Sequence, residues 1–416
     1  MKAALIHYAA PPVVGGVERV VGRQATLLAD AGHDVCIVAA RGESQDARVR
    51  FVRMPMVDSL DPTIVGIQRE LDAGRVPAAF DTERDRLVDD LAAALAGYDV
   101  AICHNVASLN KNLALTAALR ELATRPGMPR LVLWHHDLAS AQPADRSPMH
   151  DGYPWDLLRT AWPGVHNVTI SETRRRELAT LTGSSPDAIA VIPNGVDVAA
   201  LLRLDPATLD LLERTDIVAA DPLLLMPVRV MPRKNIELGL RVVAAMRAEG
   251  RPAGLVVCGP ADPHDSSESG YLATLLQLRS TLGLDQAVWF PGIGAESGLI
   301  DAVVADLYGL ADALFLPSHE EGFSIPLLEA AVFRLPIICS DLPVLREVAG
   351  DAALYIGPGD DPVDVARRVV ASLDGNPVAR LAGRTRRAFA WAVVYRTWIA
   401  PLLERAADRS SEPGST

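Results

Sequence analysis

The chain has 416 residues and a formal net charge of −12 at pH 7, and this length predicts two domains, or three, with a large buried core. The acidic balance argues against a nucleic-acid partner. Apolar residues make up 49% of the sequence, yet no apolar run approaches the roughly 18 residues of a membrane span, so we expect no transmembrane segment.

Short β-rich apolar runs alternate with amphipathic segments, which is typical of parallel sheets covered by helices. The first set of predicted strands covers 2–8, 34–40, 49–56, 99–104, 130–135, 167–171 and 189–193. The second set covers 222–229, 253–258, 287–290, 312–316, 336–339 and 353–356. Because the pattern breaks near 193–197 and stays irregular to 220, we predict two doubly wound α/β domains. Residues 376–407 are predicted to be helical, and 408–416 a disordered tail.

The start of the chain is predicted to be the first strand and not a signal peptide, because Pro11-Pro12 and Gly15-Gly16 interrupt its apolar run. The four cysteines, Cys36, Cys103, Cys258 and Cys339, lie in apolar runs. We therefore expect buried, reduced thiols, which fits the cytoplasm. No Cys-x-x-Cys pair is present in the sequence, which argues against a structural zinc site.

A Gly-Gly loop, Gly15-Gly-Val-Glu-Arg19, follows the first predicted strand and opens a helix. Small residues at such a place let the backbone approach a phosphate or a sugar. The loop lacks the G-x-G-x-x-G pattern of dinucleotide-binding folds. A plain, tight strand-to-helix turn is the alternative interpretation.

Three predicted strands of the first half end in histidine: His7, His104, and the pair His135-His136 before Asp137. The carboxyl ends of parallel strands meet at one edge of a sheet, where ligands bind. We therefore expect a polar wall that holds sugar hydroxyls. The alternative is that His104 and His135 are ordinary buried histidines satisfied by backbone groups. A metal site is disfavoured, because His135 and His136 point to opposite faces if the strand continues.

Two cations, Arg229 and Lys234, follow the first strand of the second half. Fixed cations at that edge would stabilise a diphosphate leaving group. Lys234 is one of only three lysines in the chain, which marks a place where a compact point charge was kept. The alternative is a solvated loop with unrelated charges, and the role of Arg233 is left open.

The segment from Ser318 to Glu329 carries two carboxylates, Glu321 and Glu329, eight positions apart. Ser324 is predicted to cap a helix with Pro326 in its first turn, so that Glu321 lies on the loop and Glu329 on the second turn. The free N–H groups of about 322–325 would then form an anion site. Carboxylates repel phosphate but accept hydrogen bonds from hydroxyls. Phosphate and hydroxyls together describe a sugar nucleotide.

The spacing of Glu321 and Glu329 resembles the Glu, seven residues, Glu motif of the retaining family-4 (group 1) glycosyltransferases. Four other segments match that family in the expected order: Gly15-Gly16, His136-Asp137, Asn194-Gly-Val-Asp197, and Arg229 with Lys234. The resemblance implies the GT-B fold, which has two facing Rossmann-like domains. It implies an acceptor-side domain at 1–197 with a returning helix at about 385–407, and a nucleotide-sugar-binding domain at 198–384.

The resemblance also implies roles for individual residues. Glu321 would contact the donor sugar, Glu329 the ribose, and Arg229 with Lys234 the diphosphate. His136 and Asp137 would serve catalysis together with Glu321, and Gly16, Gly322, Phe323 and Ser324 would complete the donor site. Many members of the family have glycine where this chain has Ser324.

The implied reaction is the retaining, metal-independent and cofactor-free transfer of a hexose from a nucleoside diphosphate sugar. The acceptor would be a small molecule, a glycan or a lipid-linked sugar, and the enzyme would work in the cytoplasm or at the membrane surface. Two alternatives are a different GT-B enzyme, such as a sugar-nucleotide epimerase, and a non-catalytic sugar-nucleotide-binding protein. A third, a nicotinamide-dependent dehydrogenase, is disfavoured by the missing dinucleotide fingerprint.

Overall fold

The computed structural model describes residues 1–139, 148–260, 268–293 and 299–408. The chain divides into two compact units, one of Met1–Asn194 with the segment from Ala392 onward, the other of Gly195–Trp391. None of the helices in the described ranges is long and apolar enough to cross a membrane. The four cysteines are free and buried, as predicted.

The first unit is built on a seven-stranded, all-parallel sheet in the order β3-β2-β1-β4-β5-β6-β7. Its strands are β1 Lys2–Ile6, β2 Asp34–Ala39, β3 Val49–Arg53, β4 Val100–His104, β5 Arg130–His135, β6 His166–Thr169 and β7 Ile189–Val191. All seven predicted strands are therefore confirmed. The third is three residues shorter than predicted, because Pro55 begins a 3-10 turn and has no N–H for the ladder.

Helices cover this sheet: α1 Gly16–Asp30, α2 Pro62–Asp72, α3 Ala78–Leu95, α4 Leu113–Leu122 and α5 Glu172–Thr182. Three of them begin at side-chain caps, where Asp61, Asn112 and Ser171 accept hydrogen bonds from backbone N–H groups of the first turn. The apolar faces of α3 and α4 pack with the sheet into one buried core.

The second unit holds a six-stranded, all-parallel sheet in the order β10-β9-β8-β11-β12-β13. Its strands are β8 Leu223–Met226, β9 Gly254–Val257, β10 Val288–Trp289, β11 Ala313–Leu316, β12 Ile337–Ser340 and β13 Ala353–Ile356. Its helices are α6 Val198–Leu202, α7 Pro206–Arg214, α8 Ile236–Ala248, α9 Glu268–Thr281, α10 Asp301–Leu310, α11 Ile325–Val332, α12 Pro343–Ala349, α13 Pro362–Gly375 and α14 Pro377–Arg384. All six strands predicted in this half are confirmed.

The C-terminal segment returns to the first unit through α15 Trp391–Val394 and α16 Ala400–Ala407. The Tyr395 hydroxyl lies 3.2 Å from Nε2 of His33, just before β2, and α16 lies against β4 and β5. The predicted helix over 376–407 is largely confirmed, since α-helical and π-helical turns fill most of it. It breaks at Ala390, whose ψ of 135° is extended and which forms a bridge with Val196. The predicted disordered tail lies, from residue 409 onward, outside the described residues.

The second unit extends to Trp391, and a buried arginine anchors its last segment. Arg386 donates to the carboxylate of Asp312 at 2.6 Å, and both side chains are under 10% exposed. The same guanidinium donates to the carbonyl oxygens of Val218 and Ala220. The first residue of the second unit is also closely packed, since a Cβ on Gly195 would lie 2.5 Å from the Trp391 ring.

Both sheets reverse their strand order at one place, between β1 and β4 in the first unit and between β8 and β11 in the second. In open α/β sheets the loops at the carboxyl ends of such strands diverge and leave a crevice in which ligands bind. His7 and His104 stand at the first reversal, and Arg229, Lys234 and Glu321 follow the strands of the second.

Candidate active site

The loop after β8 carries the two predicted diphosphate-binding cations. Lys234 ends a 3-10 turn, Pro232–Lys234, that leads into α8. Arg229 is exposed and makes no ion pair or hydrogen bond within the part of the chain that the structure describes. Its guanidinium is therefore open to an anionic ligand, in the place where the strand order reverses.

Lys234 and Glu321 meet in a close ion pair, with 2.7 Å between Nζ and Oε1. The Ser318 hydroxyl donates to the same oxygen, also at 2.7 Å. The two charged side chains are 11% and 7% exposed, and Arg233 lies 3.8 Å from the second oxygen, Oε2. The structure thus fixes Glu321 on its loop, as predicted, and holds the lysine and the carboxylate in one cluster.

Asn235 joins the loop after β8 to the loops after β11 and β13, and sequence reasoning missed it. Its side-chain amide donates to the carbonyl oxygens of Pro317 and Pro358, both at 3.0 Å. Its φ of 50° places it in the left-handed region, which asparagine tolerates better than most residues. An asparagine directly after Lys234 was the available signal, because such a residue often sets a tight turn.

Ser324 stands before α11, but the prediction that its side chain caps the helix is wrong. The residue has φ 73° and makes no side-chain cap hydrogen bond. A left-handed backbone favours glycine, and this explains why a glycine is common at this place in the family that the motif resembles. Serine keeps the turn here at some conformational cost.

The turn before α11 presents open backbone donors. No hydrogen bond among the described residues is donated by the backbone N–H groups of 322–325. Gly322 and Phe323 are exposed, and Pro326 lies in the first turn of the helix, as predicted. These N–H groups suit an oxyanion, with the positive end of the helix dipole behind them.

Glu329 lies on the second turn of α11, as predicted, and its side chain is exposed. The buried Tyr308, on α10, donates its hydroxyl to Oε2 of Glu329 at 2.7 Å. Among the described residues, Oε1 of Glu329 has no hydrogen-bond partner. Sequence reasoning missed Tyr308, because no local pattern connects it to a residue 21 positions away.

In the first unit, the strand-end histidines converge as predicted. His7 Nδ1 lies 2.8 Å from the carbonyl oxygen of His104, and His104 Nδ1 lies 3.1 Å from His136 Nε2. His135 turns away to Ser108 and Asn167, at 2.6 and 3.0 Å. It is therefore a buried histidine satisfied by side chains, in contrast to the backbone partners we expected.

Burial decides the charge of these histidines. Desolvation, followed by the nearby His7 and His135, lowers the pKa of His136 to about 3, and desolvation lowers that of His135 to about 4. Burial also lowers the pKa of His104 well below its usual value, and that of His7 less far. Near neutral pH all four are uncharged, so each ring has one N–H donor and one acceptor nitrogen.

Asn105 orients His136 and Asp137. Its Oδ1 accepts the backbone N–H groups of both residues, at 2.8 and 3.1 Å, and its Nδ2 donates to the Asp137 carboxylate at 3.2 Å. Asn105 has φ 58°, a conformation that asparagine tolerates. The residue directly after His104 was the signal that sequence reasoning overlooked.

In the Gly-Gly loop, the nearest atoms to a side chain at Gly15 would be those of the flexible Glu18 carboxylate, which can move aside. A Cβ on Gly15 would lie 1.9 Å from the Glu18 carboxylate, whereas a Cβ on Gly16 would meet nothing within 4 Å. Glu18 lies in turn 3.9 Å from His7 Nε2. The open space at Gly16 leaves room for a ligand, and its role in donor binding stays a prediction.

We expect the neutral histidines to make stability fall in weak acid. Unfolded imidazoles take up protons below about pH 6.5, whereas the folded ones resist down to their lowered pKa values. Stability from this source is therefore complete above pH 6.5 and is lost as the pH falls below it. The free energy of unfolding, measured in urea between pH 7 and 5, should fall less steeply with falling pH in His104→Gln than in the wild type. His136→Gln replaces this variant if it does not fold. An unchanged slope in a folded variant would contradict this account.

Two family models match the chain. "Glycosyltransferase Family 4" matches residues 14–200, and "Glycosyl transferases group 1" matches residues 211–387. Together they take in most of both units, including His104 and His136, the cations and both glutamates. The chain belongs to the group 1 glycosyltransferases. As a member of this group it is a glycosyltransferase with the GT-B fold, whose two Rossmann-like units are the two parallel-sheet units described above.

Several relatives extend the likeness over most of the chain. It is 26% identical to an MMP alpha-(1->4)-mannosyltransferase of Mycolicibacterium hassiacum, covering 98% of this chain and 99% of that protein. It is 25% identical to a mannosylglucosylglycerate synthase of Thermotoga maritima, covering 86% and 85%. A glycosyltransferase structure from Rickettsia africae aligns with 98% of this chain and 99% of that chain, at 15% identity and a TM-score of 0.37. The family assignment rests on the sequence matches.

Proposed function

We propose that this group 1 glycosyltransferase moves a hexose from a nucleoside diphosphate sugar to an acceptor hydroxyl, with retained configuration and without a metal ion. The observation that carries the proposal is the cluster at the strand reversal of the second sheet. There the Lys234–Glu321 pair lies on loops that also carry Arg229 and the N–H groups of 322–325, for which the described part of the chain offers no partner. Cations and amides suit a diphosphate, and carboxylates suit hydroxyls.

The proposed chemistry breaks the bond between the anomeric carbon and the phosphate oxygen. The acceptor oxygen forms its bond to the same carbon on the same face, and the acceptor proton passes to the leaving phosphate oxygen. Lys234 and Arg229 would stabilise the charge that grows on the diphosphate. Glu321 would accept hydrogen bonds from sugar hydroxyls, with its carboxylate fixed by Ser318 and Lys234.

His136 fits a binding role better than an acid–base role. A pKa of about 3 keeps the imidazole neutral at physiological pH, and a general acid or base works best with a pKa near the working pH. A neutral ring can still exchange hydrogen bonds with a sugar hydroxyl. We therefore assign His136 and Asp137 to holding the reacting sugar, and the nucleotide to the second unit.

Mannose is the first sugar to test. The relatives from Mycolicibacterium hassiacum and Thermotoga maritima are both named for mannosyl products or transfer. Among the described residues no three His, Cys, Asp or Glu side chains cluster as metal ligands. Activity in excess chelator stays a prediction, as does work in the cytoplasm.

We predict that His136→Ala separates binding from transfer. The variant should keep the affinity of the wild type for a nucleoside diphosphate, because the proposed diphosphate and ribose contacts lie in the second unit. Sugar transfer or donor hydrolysis should fall by about 100-fold or more, the scale of misplacing the reacting group. Thermal shifts with UDP, GDP and ADP measure the binding, and release of the diphosphate from the mannose and glucose donors measures the turnover.

Loss of nucleotide binding in a folded His136→Ala protein would show that the first unit holds the nucleotide itself. The absence of a thermal shift with any nucleotide or sugar nucleotide in the wild type would reject the proposed donor class.

A further inference from the structure

We propose that Tyr308 is a positioning residue for the nucleotide ribose. Its hydroxyl holds one oxygen of Glu329, so that the other oxygen is presented to the ribose hydroxyls. This inference rests on the proposed function, because it takes Glu329 as the ribose-binding carboxylate. Tyr308 lies outside the glutamate motif and would raise the affinity of Glu329 for the ribose.

The position of Tyr308 is fixed by its surroundings. The side chain is only 2% exposed, and its ring stacks on that of Phe333 with centroids 5.5 Å apart and an angle of 12° between the planes. Burial and then the Glu329 carboxylate raise the pKa of Tyr308 far above its ordinary value. The hydroxyl therefore stays protonated and acts as a permanent donor at a fixed point.

In contrast to the buried Tyr308, Glu329 is an exposed side chain on a helix surface. A free glutamate samples many rotamers and loses that freedom when it binds a ligand. The 2.7 Å hydrogen bond from Tyr308 to Oε2 restricts those rotamers before the ligand arrives, and such preorganisation raises affinity.

The free oxygen, Oε1, has the capacity that a ribose needs. A carboxylate oxygen accepts up to two hydrogen bonds, which matches the adjacent 2′ and 3′ hydroxyls of a ribose. With one acceptor position of Oε2 taken by Tyr308, Oε1 is the oxygen that can accept from both hydroxyls. Loss of the tyrosine hydroxyl should therefore weaken ribose recognition and leave the diphosphate contacts of the second unit intact.

The test compares ribose and deoxyribose ligands in Tyr308→Phe. Phenylalanine keeps the buried ring and its stacking on Phe333, so the variant should fold. We expect the affinity for whichever of UDP, GDP and ADP binds the wild type most tightly to fall by about three- to ten-fold, the scale of ordering one flexible side chain on binding. The affinity for its 2′-deoxy counterpart should fall less, because that ligand makes fewer hydrogen bonds to Glu329.

Two further variants make the result specific. Tyr355→Phe removes a hydroxyl that donates to the carbonyl oxygen of Gly350, also at 2.7 Å, in the same unit, and it should leave both affinities unchanged. In a Glu329→Ala background, Tyr308→Phe should have no further effect, because the tyrosine acts through the carboxylate.

The outcomes separate the inference from the proposed function. A wild type that binds ribonucleotides better than deoxynucleotides, together with an unchanged Tyr308→Phe, would overturn the role of Tyr308 alone. An equal loss on both ligands would reduce Tyr308 to a structural residue and also reject the inference. A wild type with no affinity for any of the nucleotides would overturn the proposed function together with it.

Discussion

Replacement of Lys234 by alanine is expected to lower turnover by about two orders of magnitude or more, the scale of losing one preorganised electrostatic group. The lysine is one of the two cations of the proposed diphosphate site, and its Nζ lies 2.7 Å from Glu321. Its removal also releases one of the two donors that fix this carboxylate. Steady-state release of the nucleoside diphosphate from the donor measures the effect.

The control for this prediction is Lys2→Ala, which removes a lysine from an exposed ion pair with Asp34 at 3.9 Å. Exposed pairs contribute little, so that variant should retain full turnover. Circular dichroism would confirm that both variants fold. Near-normal turnover in a folded Lys234→Ala protein would contradict the proposal that Lys234 binds the diphosphate.

The second large effect is expected on stability, from Arg386→Met. This change leaves the Asp312 carboxylate buried without its main partner, and breaking a buried pair costs about 3–5 kcal/mol. The backbone carbonyls of Val218 and Ala220 also lose their donor. The midpoint of urea unfolding at pH 7 should therefore fall sharply.

Two comparisons make this prediction specific. Arg367→Met removes an exposed arginine 3.4 Å from Glu249 and should change stability by less than about 1 kcal/mol. Combining Arg386→Met with Asp312→Leu should recover part of the loss, because no unpaired charge then stays buried. Equal stability of Arg386→Met and wild type would show that the pair does not hold the 385–391 segment.

The strands could be predicted because parallel strands are buried on both faces and appear as short, continuous apolar runs. The break between the units was visible for the same reason, as an interval without such runs. The helix over 376–407 was predicted, but its break at Ala390 and its π-helical turns at 385–389 and 395–399 were not, because this segment makes contacts far away in sequence. Arg386, which meets Asp312 across 74 positions, is the main example.

In the candidate site, the charged residues could be predicted and the residues that hold them could not. Glu321, Lys234 and His136 carry recognisable chemistry at strand ends, and the structure brings the first two together. Asn235, Asn105 and Tyr308 act through hydrogen bonds to distant segments, which no local pattern encodes. Ser324 was predicted to cap α11 because serine is a good capping residue. Its left-handed backbone, which the sequence did not indicate, leaves the side chain without a cap hydrogen bond.

The most direct measurement of the central claim is the anomeric configuration of the sugar released from the donor. The wild-type protein would be incubated in excess chelator with the UDP, GDP and ADP forms of α-mannose and α-glucose, and the first minutes of hydrolysis followed by proton NMR. The account predicts that at least one donor is cleaved and that the α-anomer appears first. Release of the β-anomer, or cleavage only after a divalent metal is added, would contradict it.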